Sequence, residues 1–283
     1  MDSASQPALA AGTVQLGDRT VHRMGFGAMR LCGPSVWGPP KDRAAAHAVL
    51  RRAVELGIDF IDTADSYGPE VDETLIAEAL HPYPDGLIVG TKGGLLRPSP
   101  PRWDTDGRPE HLRQALEGSL KRLKLDCIDL YQLHAPDSRA PFADSVGALA
   151  DAQRAGKIRH IGLSNVSVKQ LEQARRIAPI VSVQNRYNLE DRGSEDVLAA
   201  CERLGIAFLP WFPLGAGAAL RSANVKRVAA RAGASPAQVL LAWLLTKSAA
   251  MLPIPGTASL AHLEENTRAA MLKLSADDFA ALA

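Results

Sequence analysis

Short apolar runs alternate with longer helical stripes along almost the whole chain. The runs expected to form strands are, in order, Met24–Gly27, Ile58–Ile61, Leu87–Thr91, Ile128–Leu133, Ile158–Leu163, Ile180–Val183, Ile206–Pro210 and Met251–Ile254. Apolar residues at helical spacing mark the stripes, which cover residues 49–56, 110–124, the surroundings of 149, 171–177, 197–204, 223–232, 236–246 and 260–270. Eight strands that alternate with helical connections predict an α/β fold, namely a (β/α)8 TIM barrel.

The N-terminal part adds a feature outside the barrel pattern. Residues 13–22 alternate around a Gly-Asp pair and predict a β-hairpin. With 283 residues and 46% hydrophobic content, the chain can bury one large core. We therefore expect residues 1–283 to form a single barrel domain, with residues 1–11 flexible.

An open, doubly wound parallel sheet is the alternative fold. That fold usually carries a Gly-x-Gly-x-x-Gly turn after its first strand. The corresponding stretch here is Gly25-Phe26-Gly27-Ala28-Met29-Arg30, in which arginine stands in place of the third glycine, and the sequence has no P-loop. The sequence therefore favours the barrel.

Composition argues against several classes of partner and site. The 32 basic and 31 acidic residues give a formal charge of +1, which favours neither nucleic acid nor a membrane surface as a partner. No apolar run approaches the ~20 residues of a membrane span. Three cysteines without Cys-x-x-Cys spacing argue against a disulfide framework and against a metal site. Because the first residues lack a signal-peptide pattern, we expect a cytoplasmic protein.

Polar or aromatic side chains follow six consecutive strand candidates. They are Asp62, Lys92, His134, Ser164 with Asn165, Gln184 and Trp211. Barrel enzymes carry their chemistry at the C-terminal ends of the strands. Each residue alone has an ordinary structural explanation, since Asp62 could cap a helix and His134 could be a hydrogen-bonded core histidine. Six in succession favour an active site.

Asp62, Tyr67, Lys92 and His134 would form a proton-donating set if their strands are neighbours. A free tyrosine has a pKa of ~10 and donates poorly at neutral pH. The Lys92 ammonium would lower that pKa, and Asp62 would keep the ammonium charged. Tyr67 would then act as a general acid toward a carbonyl oxygen, with His134 donating a hydrogen bond to it. Because no side chain delivers hydride, such a reductase needs a nicotinamide cofactor.

The sequence resembles the aldo-keto reductase superfamily over nearly its whole length. The matching stretches are Gly25–Met29, Asp62–Gly68, Thr91-Lys92, Tyr131–His134, Gly156–Asn165, Gln184–Asn188, Pro213–Gly215, Pro253–Thr257 and Glu264–Asn266. The resemblance implies an NAD(P)H-dependent enzyme that reduces aldehydes and ketones to alcohols. It also implies that Tyr67 donates the proton, that Lys92 and Asp62 tune it, and that His134 orients the carbonyl.

The same resemblance implies a site for NADPH, with NADH as the alternative. Asn165 and Gln184, helped by Ser164, would hold the nicotinamide carboxamide, and Trp211 would stack under its ring. The other cofactor-binding residues it implies are Gly27, Ala28, Met29, Phe212, Pro213, Leu214, Gly215, Gly217, Gly256, Thr257, His262, Glu265 and Asn266. The family often has tyrosine at Trp211 and serine at Phe212. It often places lysine and arginine where Gly256 and His262 stand, and a neutral histidine binds phosphate more weakly than arginine.

The substrate is expected to be a small-molecule carbonyl compound. Residues 33–43 resemble the bacterial subgroup that includes pyridoxal reductases, which implies pyridoxal or another aromatic aldehyde. Trp37 in this loop and Trp103 in the loop 93–109 are the expected substrate contacts. The alternative function is a nucleotide-binding regulatory protein with slow or no turnover. A hydrolase or isomerase is disfavoured because the sequence has no paired carboxylates, metal-ligand cluster or phosphate signature; no oligomeric state is predicted.

Overall fold

Seven parallel strands form one curled sheet. The computed structural model describes residues 5–215 and 217–282. In chain order, the strands are β1 (Thr13–Leu16), β2 (Arg19–His22), β3 (Phe26–Gly27), β4 (Phe60–Asp62), β5 (Ile88–Gly93), β6 (Leu95–Leu96), β7 (Asp104–Thr105), β8 (Ile128–Leu133), β9 (Ile158–Ser164), β10 (Ile180–Arg186) and β11 (Ala207–Trp211). The parallel sheet has the order β11-β10-β9-β8-β5-β4-β3, while β1–β2 and β6–β7 are separate antiparallel pairs. The fold is therefore of the α/β TIM-barrel type.

Residues 250–255 join the two edge strands of this sheet. On one side this segment exchanges two backbone hydrogen bonds with Phe208 in β11, at 2.8 and 2.9 Å. On the other side it accepts from the N–H groups of Gly25 and Gly27, at 2.9 and 3.5 Å. The expected eighth strand, Met251–Ile254, thus lies in its place in the barrel but forms only an isolated bridge at Met251. The two prolines of the segment explain this, because proline has no N–H to donate.

Helices follow the strands along the chain. They are α1 (Arg43–Glu55), α2 (Val71–Leu80), α3 (Pro109–Leu123), α4 (Phe142–Arg154), α5 (Val168–Arg175), α6 (Glu195–Leu204), α7 (Ala218–Arg221), α8 (Ala223–Ala232), α9 (Pro236–Lys247), α10 (Leu260–Arg268) and α11 (Ala276–Ala280). The sequence did not predict α2, because the buried charged residues Asp72 and Glu73 interrupt its apolar stripe. In the described chain, no single helix is long and apolar enough to cross a membrane. Only α8 and α9 together, bent by 90°, meet that criterion of length and composition.

Two helices begin with a capping box that the sequence encodes directly. Ser167 before α5 and Ser235 before α9 each accept a hydrogen bond from the backbone N–H three residues later. The side-chain oxygen of the glutamine at that later position accepts a hydrogen bond from the backbone N–H of the serine. These pairs satisfy backbone groups that a helix end leaves unpaired.

The hairpin β1–β2 packs against the N-terminal end of the barrel. Leu16 and Val21 belong to the inner apolar cluster, together with residues near the start of strands such as Ile88 and Leu130. A larger apolar cluster fills the space between the sheet and the helices. The inner cluster occupies the barrel below the C-terminal ends of the strands, where the polar residues lie.

Residues 7–11 do not follow the expectation of a flexible N-terminus. Pro7–Ala11 forms a 3-10 helix in which Ala8 is fully buried. The N–H of Ala8 donates to the carbonyl oxygen of Leu56 at 3.2 Å. The flexibility predicted for residues 1–11 is wrong for this part, because its small apolar side chains pack into the core. Residues 1–4 of that prediction lie outside the described part of the chain.

Gly27 and Gly256 lie back to back where the segment 250–255 meets β3. A Cβ atom on Gly256 would lie 2.4 Å from the carbonyl oxygen of Gly27. A Cβ atom on Gly27 would lie 2.7 Å from the carbonyl oxygen of Ile254. Because these neighbours are backbone atoms, they cannot rotate away, so both positions require glycine.

We expect Gly256→Ala to lower the free energy of unfolding by about 1–3 kcal/mol, the usual cost of overpacking, as measured by urea denaturation. Gly147→Ala in α4 is the matched control, since no atom lies within 4 Å of the added Cβ. Alanine also favours a helix over glycine by up to ~1 kcal/mol, so the control should be as stable as the wild type or more stable. A Gly256→Ala variant with wild-type stability would contradict the close contact.

Candidate active site

A buried ion pair lies at the C-terminal end of the barrel. The Nζ atom of Lys92 in β5 donates a hydrogen bond to Oδ2 of Asp62 in β4 at 2.7 Å. It also donates to the carbonyl oxygen of Thr63 at 2.9 Å and to the hydroxyl of Tyr67 at 3.2 Å. An ammonium has three N–H bonds, and here each has an acceptor. The charge of Lys92 is therefore held next to the Tyr67 hydroxyl.

Two carboxamides hold the other oxygen of Asp62. Nε2 of Gln184 in β10 donates to Oδ1 of Asp62 at 2.7 Å, and Nε2 of Gln132 in β8 donates at 3.2 Å. The Asp62 carboxylate is thus satisfied by side chains from three other strands. This role of Gln132 was not predicted from the sequence. Its position two residues after the inward-facing Leu130 was the available signal, because alternate strand residues share a face.

Burial dominates the protonation of Tyr67 and Lys92. Burial raises the pKa of Tyr67 to about 12, and the Lys92 ammonium offsets this only in part. The expectation that Lys92 would bring this pKa below its ordinary value is therefore wrong, because desolvation of the enclosed phenol outweighs one nearby charge. Burial acts to lower the pKa of Lys92, but Asp62 and Tyr67 outweigh it and the pKa is raised. At neutral pH the site holds a neutral phenol beside an ammonium.

His134 lies directly after β8 and faces Tyr67. The two rings meet edge to face with their centroids 5.8 Å apart, and Nδ1 of His134 lies 3.4 Å from Oγ of Ser66. Burial, followed by the charge of Lys92, holds the pKa of His134 well below its usual range. The imidazole is therefore neutral at pH 7 and has one N–H to donate.

A cavity of about 530 Å³ opens beside Tyr67 and His134. It is lined by Gly27, Met29, Arg30, Asp62, Tyr67, Leu95, Trp103, His134, Ser164, Asn165, Gln184, Trp211, Phe212, Pro213, Leu214, Gly215, Ile254, Pro255 and Gly256. Most of the predicted cofactor-binding residues therefore border the same space as the proton-donating set. Among the described lining residues, Arg30 is the only lysine or arginine. Arg30 was not predicted from the sequence, where it only replaces the third glycine of the Gly-x-Gly-x-x-Gly pattern.

Asn165 and Trp211 form one wall of this cavity. Asn165 has a left-handed backbone conformation, with φ of 59°, and its Nδ2 donates to the carbonyl oxygen of His134 at 3.0 Å. Nε1 of Trp211 donates to Oδ1 of Asn165 at 3.0 Å. The indole is thus fixed in orientation beside Asn165 and Ser164. A flat indole next to amide and hydroxyl groups fits a planar heteroaromatic ring that carries a carboxamide.

Two asparagines in the Gln184–Asn188 stretch shape the loops around the cavity. Asn185 exchanges hydrogen bonds with the backbone N–H and carbonyl oxygen of Val166, at 3.1 and 2.7 Å. Asn188 donates to the carbonyl oxygen of Phe212 at 3.1 Å, where φ is 61°. The side chains of these residues hydrogen-bond to the backbone of the loops after β9 and β11 and so fix the loop conformations. This role was not predicted from the sequence.

Several predicted cofactor-binding residues do not line the cavity. Ala28 is fully buried and is not among the described lining residues. Thr257, His262, Glu265 and Asn266 lie beyond Gly256, in α10 or just before it. Of the loop Leu214–Gly217 that was expected to follow the pyrophosphate, residue 216 lies outside the described chain. The structure thus groups the residues expected to bind the nicotinamide end around the cavity, while those expected at the adenosine end lie outside its lining.

The two tryptophans proposed as substrate contacts differ in position. Trp103 lines the cavity, and its ring meets Tyr67 edge to face with centroids 6.4 Å apart. Trp37 is not among the described lining residues. Its backbone forms a bridge to Gly68, and its ring lies 5.6 Å from the guanidinium of Arg97. The structure therefore places Trp103 beside Tyr67 in the cavity, and Trp37 against Arg97 outside the described lining.

Comparison with known proteins identifies the family. The profile of the Aldo/keto reductase family matches residues 23–283. The chain belongs to this family. The reductase is 49% identical to an uncharacterized oxidoreductase of Schizosaccharomyces pombe (99% of this chain, 92% of that protein). It is 45% identical to pyridoxine 4-dehydrogenase of Escherichia coli K12 (94% and 96%).

A solved structure shares the fold of the reductase. The crystal structure of an aldo/keto reductase from Klebsiella pneumoniae, in complex with NADP and acetate, superimposes with a TM-score of 0.81 at 27% identity. The similarity covers 95% of this chain and 93% of that one. The family match and the similarity to these oxidoreductases identify the chain as an NAD(P)H-dependent oxidoreductase.

Breaking the ion pair should destabilise the reductase strongly. Lys92→Met leaves the Asp62 carboxylate buried without its counter-charge, so we expect a loss of about 3–5 kcal/mol in the free energy of unfolding. Lys157→Met, which removes an exposed ammonium beside Glu117, is the matched control and should cost less than about 1 kcal/mol. In urea denaturation, Lys92→Met/Asp62→Asn should recover part of the loss. Equal stability of the single and double variants would refute the coupling.

A second buried carboxyl group lies behind the ion pair. Oδ2 of Asp72, at the start of α2, accepts a hydrogen bond from Oγ1 of Thr63 at 2.8 Å. The carbonyl oxygen of Thr63 accepts from Lys92, so Thr63 contacts both charged side chains. Burial raises the pKa of Asp72 from 3.8 to about 7.

Stability should therefore depend on pH through Asp72. Because the carboxyl binds its proton more tightly in the folded state, it favours folding at low pH, and this contribution is lost as pH rises through about 7. We expect Asp72→Asn, which does not titrate, to gain stability relative to the wild type between about pH 5 and about pH 8. Urea denaturation at both values measures this gain. Asp85→Asn, at an exposed position, is the matched control for replacing a carboxylate by an amide, and a constant difference for Asp72→Asn would argue against a raised pKa of that carboxyl.

Proposed function

We propose that this chain is an NADPH-dependent reductase of aldehydes and ketones, folded as one barrel domain, with Tyr67 as the proton donor. The observation that carries the proposal is the position of the Lys92 ammonium, 3.2 Å from the Tyr67 hydroxyl, at a cavity that His134 also borders. When bound, the nicotinamide cofactor supplies the hydride that reduces the carbonyl carbon. The chain's own residues supply the proton and the orientation.

Tyr67 holds its proton until the substrate oxygen becomes basic. With a pKa of about 12, the phenol stays protonated in the resting enzyme and can donate to an oxygen that develops alkoxide character. The phenolate that results lies beside the Lys92 ammonium, whose charge Asp62 maintains. Fixed charge at the place where negative charge develops lowers the barrier without reorganisation of solvent.

His134 provides the second hydrogen bond to the carbonyl oxygen. Its neutral imidazole adds a donor without adding a positive charge near Lys92. Because Tyr67 and His134 border the same cavity with their ring centroids 5.8 Å apart, one carbonyl oxygen could accept from both. A carbonyl oxygen bound there would direct its carbon toward the wall formed by Asn165 and Trp211.

The residues of that wall would hold the nicotinamide. Asn165, Ser164 and the free oxygen of Gln184 would bind the carboxamide, and the indole of Trp211 would stack on the ring. The backbone of Pro213–Gly215 and the side chain of Arg30 would face the phosphates. Thr257, His262, Glu265 and Asn266 would contact the adenosine end.

NADPH is the proposed cofactor, and NADH is the second candidate. His262, in the first turn of α10 among the residues proposed for the adenosine end, is the side chain that could meet the additional phosphate of NADPH near a helix N-terminus. The complex of the Klebsiella pneumoniae relative with NADP supports this choice.

The proposed substrate is pyridoxal or another aromatic aldehyde. Tyr67, Trp103 and Trp211 all border the cavity, so a planar ring can meet aromatic faces or edges on more than one side. The similarity to pyridoxine 4-dehydrogenase supports the same class, because pyridoxine is the alcohol of an aromatic aldehyde.

Tyr67→Phe should retain NADPH binding and lose about 10²–10⁴-fold in kcat, the usual range for a general acid. The decay of NADPH absorbance with pyridoxal, benzaldehyde and propanal measures turnover, and quenching of tryptophan fluorescence measures binding; the panel is repeated with NADH. Tyr83→Phe is the control, because its hydroxyl bonds to the carbonyl oxygen of Leu123 away from the cavity. Near-normal turnover by Tyr67→Phe would exclude Tyr67 as the donor. NADPH binding by the wild type without turnover of any aldehyde would instead support a regulatory protein.

A further inference from the structure

The side chain of Arg97 joins two loops at the rim of the barrel. Arg97 follows β6 and is only 6% exposed. Its NH2 and NH1 groups donate to the carbonyl oxygens of Ser35 and Val36, at 2.9 and 3.0 Å, in the loop after β3. Its Nε donates to the carbonyl oxygen of Arg102, in its own loop, at 3.1 Å. One guanidinium therefore binds backbone from both loops.

This cation has an unusual set of neighbours. Across residues 5–215 and 217–282, no carboxylate forms an ion pair with Arg97, so its buried charge is met by carbonyl oxygens and aromatic rings. The guanidinium carbon lies 3.8 Å from the ring centroid of Trp103 and 5.6 Å from that of Trp37. A planar fork can donate to three separate carbonyl groups and stack on an indole at the same time, which an ammonium cannot do.

Trp103 depends on this contact for its position. Its side chain is on the surface, with the residue 39% exposed, so burial holds it only in part. The loop is tied down on the far side of Trp103, where Asp137 accepts from the N–H of Gly107 at 3.0 Å. On the near side, Arg97 stacks on the indole and holds the backbone of Arg102. The indole is therefore held in an edge-to-face contact with the ring of Tyr67.

We propose that Arg97 is a positioning residue that makes the reductase select aromatic over small aliphatic aldehydes, by holding Trp103 beside Tyr67. The inference rests on the proposed carbonyl reduction. A fixed indole next to the proton donor offers an aromatic substrate a ring contact, while a small aldehyde is too short to use it. Without Arg97 the indole moves and this contact is lost.

Kinetics with two aldehydes test the selectivity. We expect Arg97→Met to lower kcat/KM for benzaldehyde by roughly tenfold, the upper range of one aromatic contact, mainly through KM. The value for propanal should stay unchanged. Arg102→Met is the matched control, because the Arg102 side chain is 66% exposed and pairs with Asp104; it should change neither value. Arg97→Lys keeps the charge but loses the fork, so it should recover at most part of the selectivity.

The proposal is overturned if Arg97→Met leaves the ratio of kcat/KM for benzaldehyde to kcat/KM for propanal unchanged. This would be so if both values fell equally, as a merely structural role predicts, or if neither value changed.

Trp103→Leu shows whether Arg97 acts through the indole. If it does, adding Arg97→Met to Trp103→Leu should cause no further loss with benzaldehyde, because coupled residues are not additive. Independent, additive losses would mean that Arg97 affects the substrate by another route and would refute the proposed mechanism.

A spectroscopic measurement separates this proposal from the proposed function. Fluorine NMR of protein labelled with 5-fluorotryptophan gives signals for the 4 tryptophans, each assigned by a Trp→Phe variant. In Arg97→Met we expect the signals of Trp103 and Trp37 to shift or broaden, while those of Trp211 and Trp243 stay. This requires no turnover. An unmoved Trp103 signal would refute positioning by Arg97, whereas a wild type that reduces no aldehyde would refute the function and leave the NMR result standing.

Discussion

An ammonium buried inside a protein must be surrounded by acceptors, and Lys92 meets this condition with Asp62, Thr63 and Tyr67. All three acceptors lie in β4 or in the loop that follows it, so the charge of Lys92 fixes that loop against β5. The Asp62 carboxylate in turn draws in Gln132 and Gln184 from β8 and β10. One ion pair thus connects four strands of the barrel and places the phenol of Tyr67 at the cavity.

The same burial determines which groups carry charge. At neutral pH, Tyr67 and His134 are neutral, since burial raises the pKa of the first and lowers that of the second. The charges next to Tyr67, on Lys92 and Asp62, balance each other. Because the ammonium is the charged group that contacts the phenol, positive charge lies beside an oxygen that becomes an alkoxide. A more exposed arrangement would lose this balance, because water would screen the ammonium and restore ordinary pKa values.

The sequence predicted the strand order and the convergence of Asp62, Tyr67, Lys92 and His134, because apolar periodicity and ordered motifs are local properties. The structure departs from the prediction where distant contacts decide. Two prolines in residues 250–255 prevent a regular eighth strand. Buried carboxylates interrupt the apolar pattern of α2, so the sequence does not indicate this helix. The pKa of Tyr67 depends on how far the folded protein buries the phenol. Arg97 donates hydrogen bonds to Val36 and Ser35, which precede it by 61 and 62 positions in the chain. No pattern in the sequence indicates this contact. The cofactor contacts inferred from resemblance remain predictions.

The contact between Gly27 and Gly256 has a consequence for the order in which the site forms during synthesis. Because translation proceeds from the N-terminus, a nascent chain that extends just past β8 already contains Asp62, Tyr67, Lys92 and His134. The cavity wall at Ile254–Gly256, which packs against Gly27, is synthesised only after β9, β10 and β11. The proton-donating half of the site therefore exists in the growing chain well before the complete cavity does. A truncated or stalled chain would carry Tyr67 without the enclosure that sets its pKa and gives it a function.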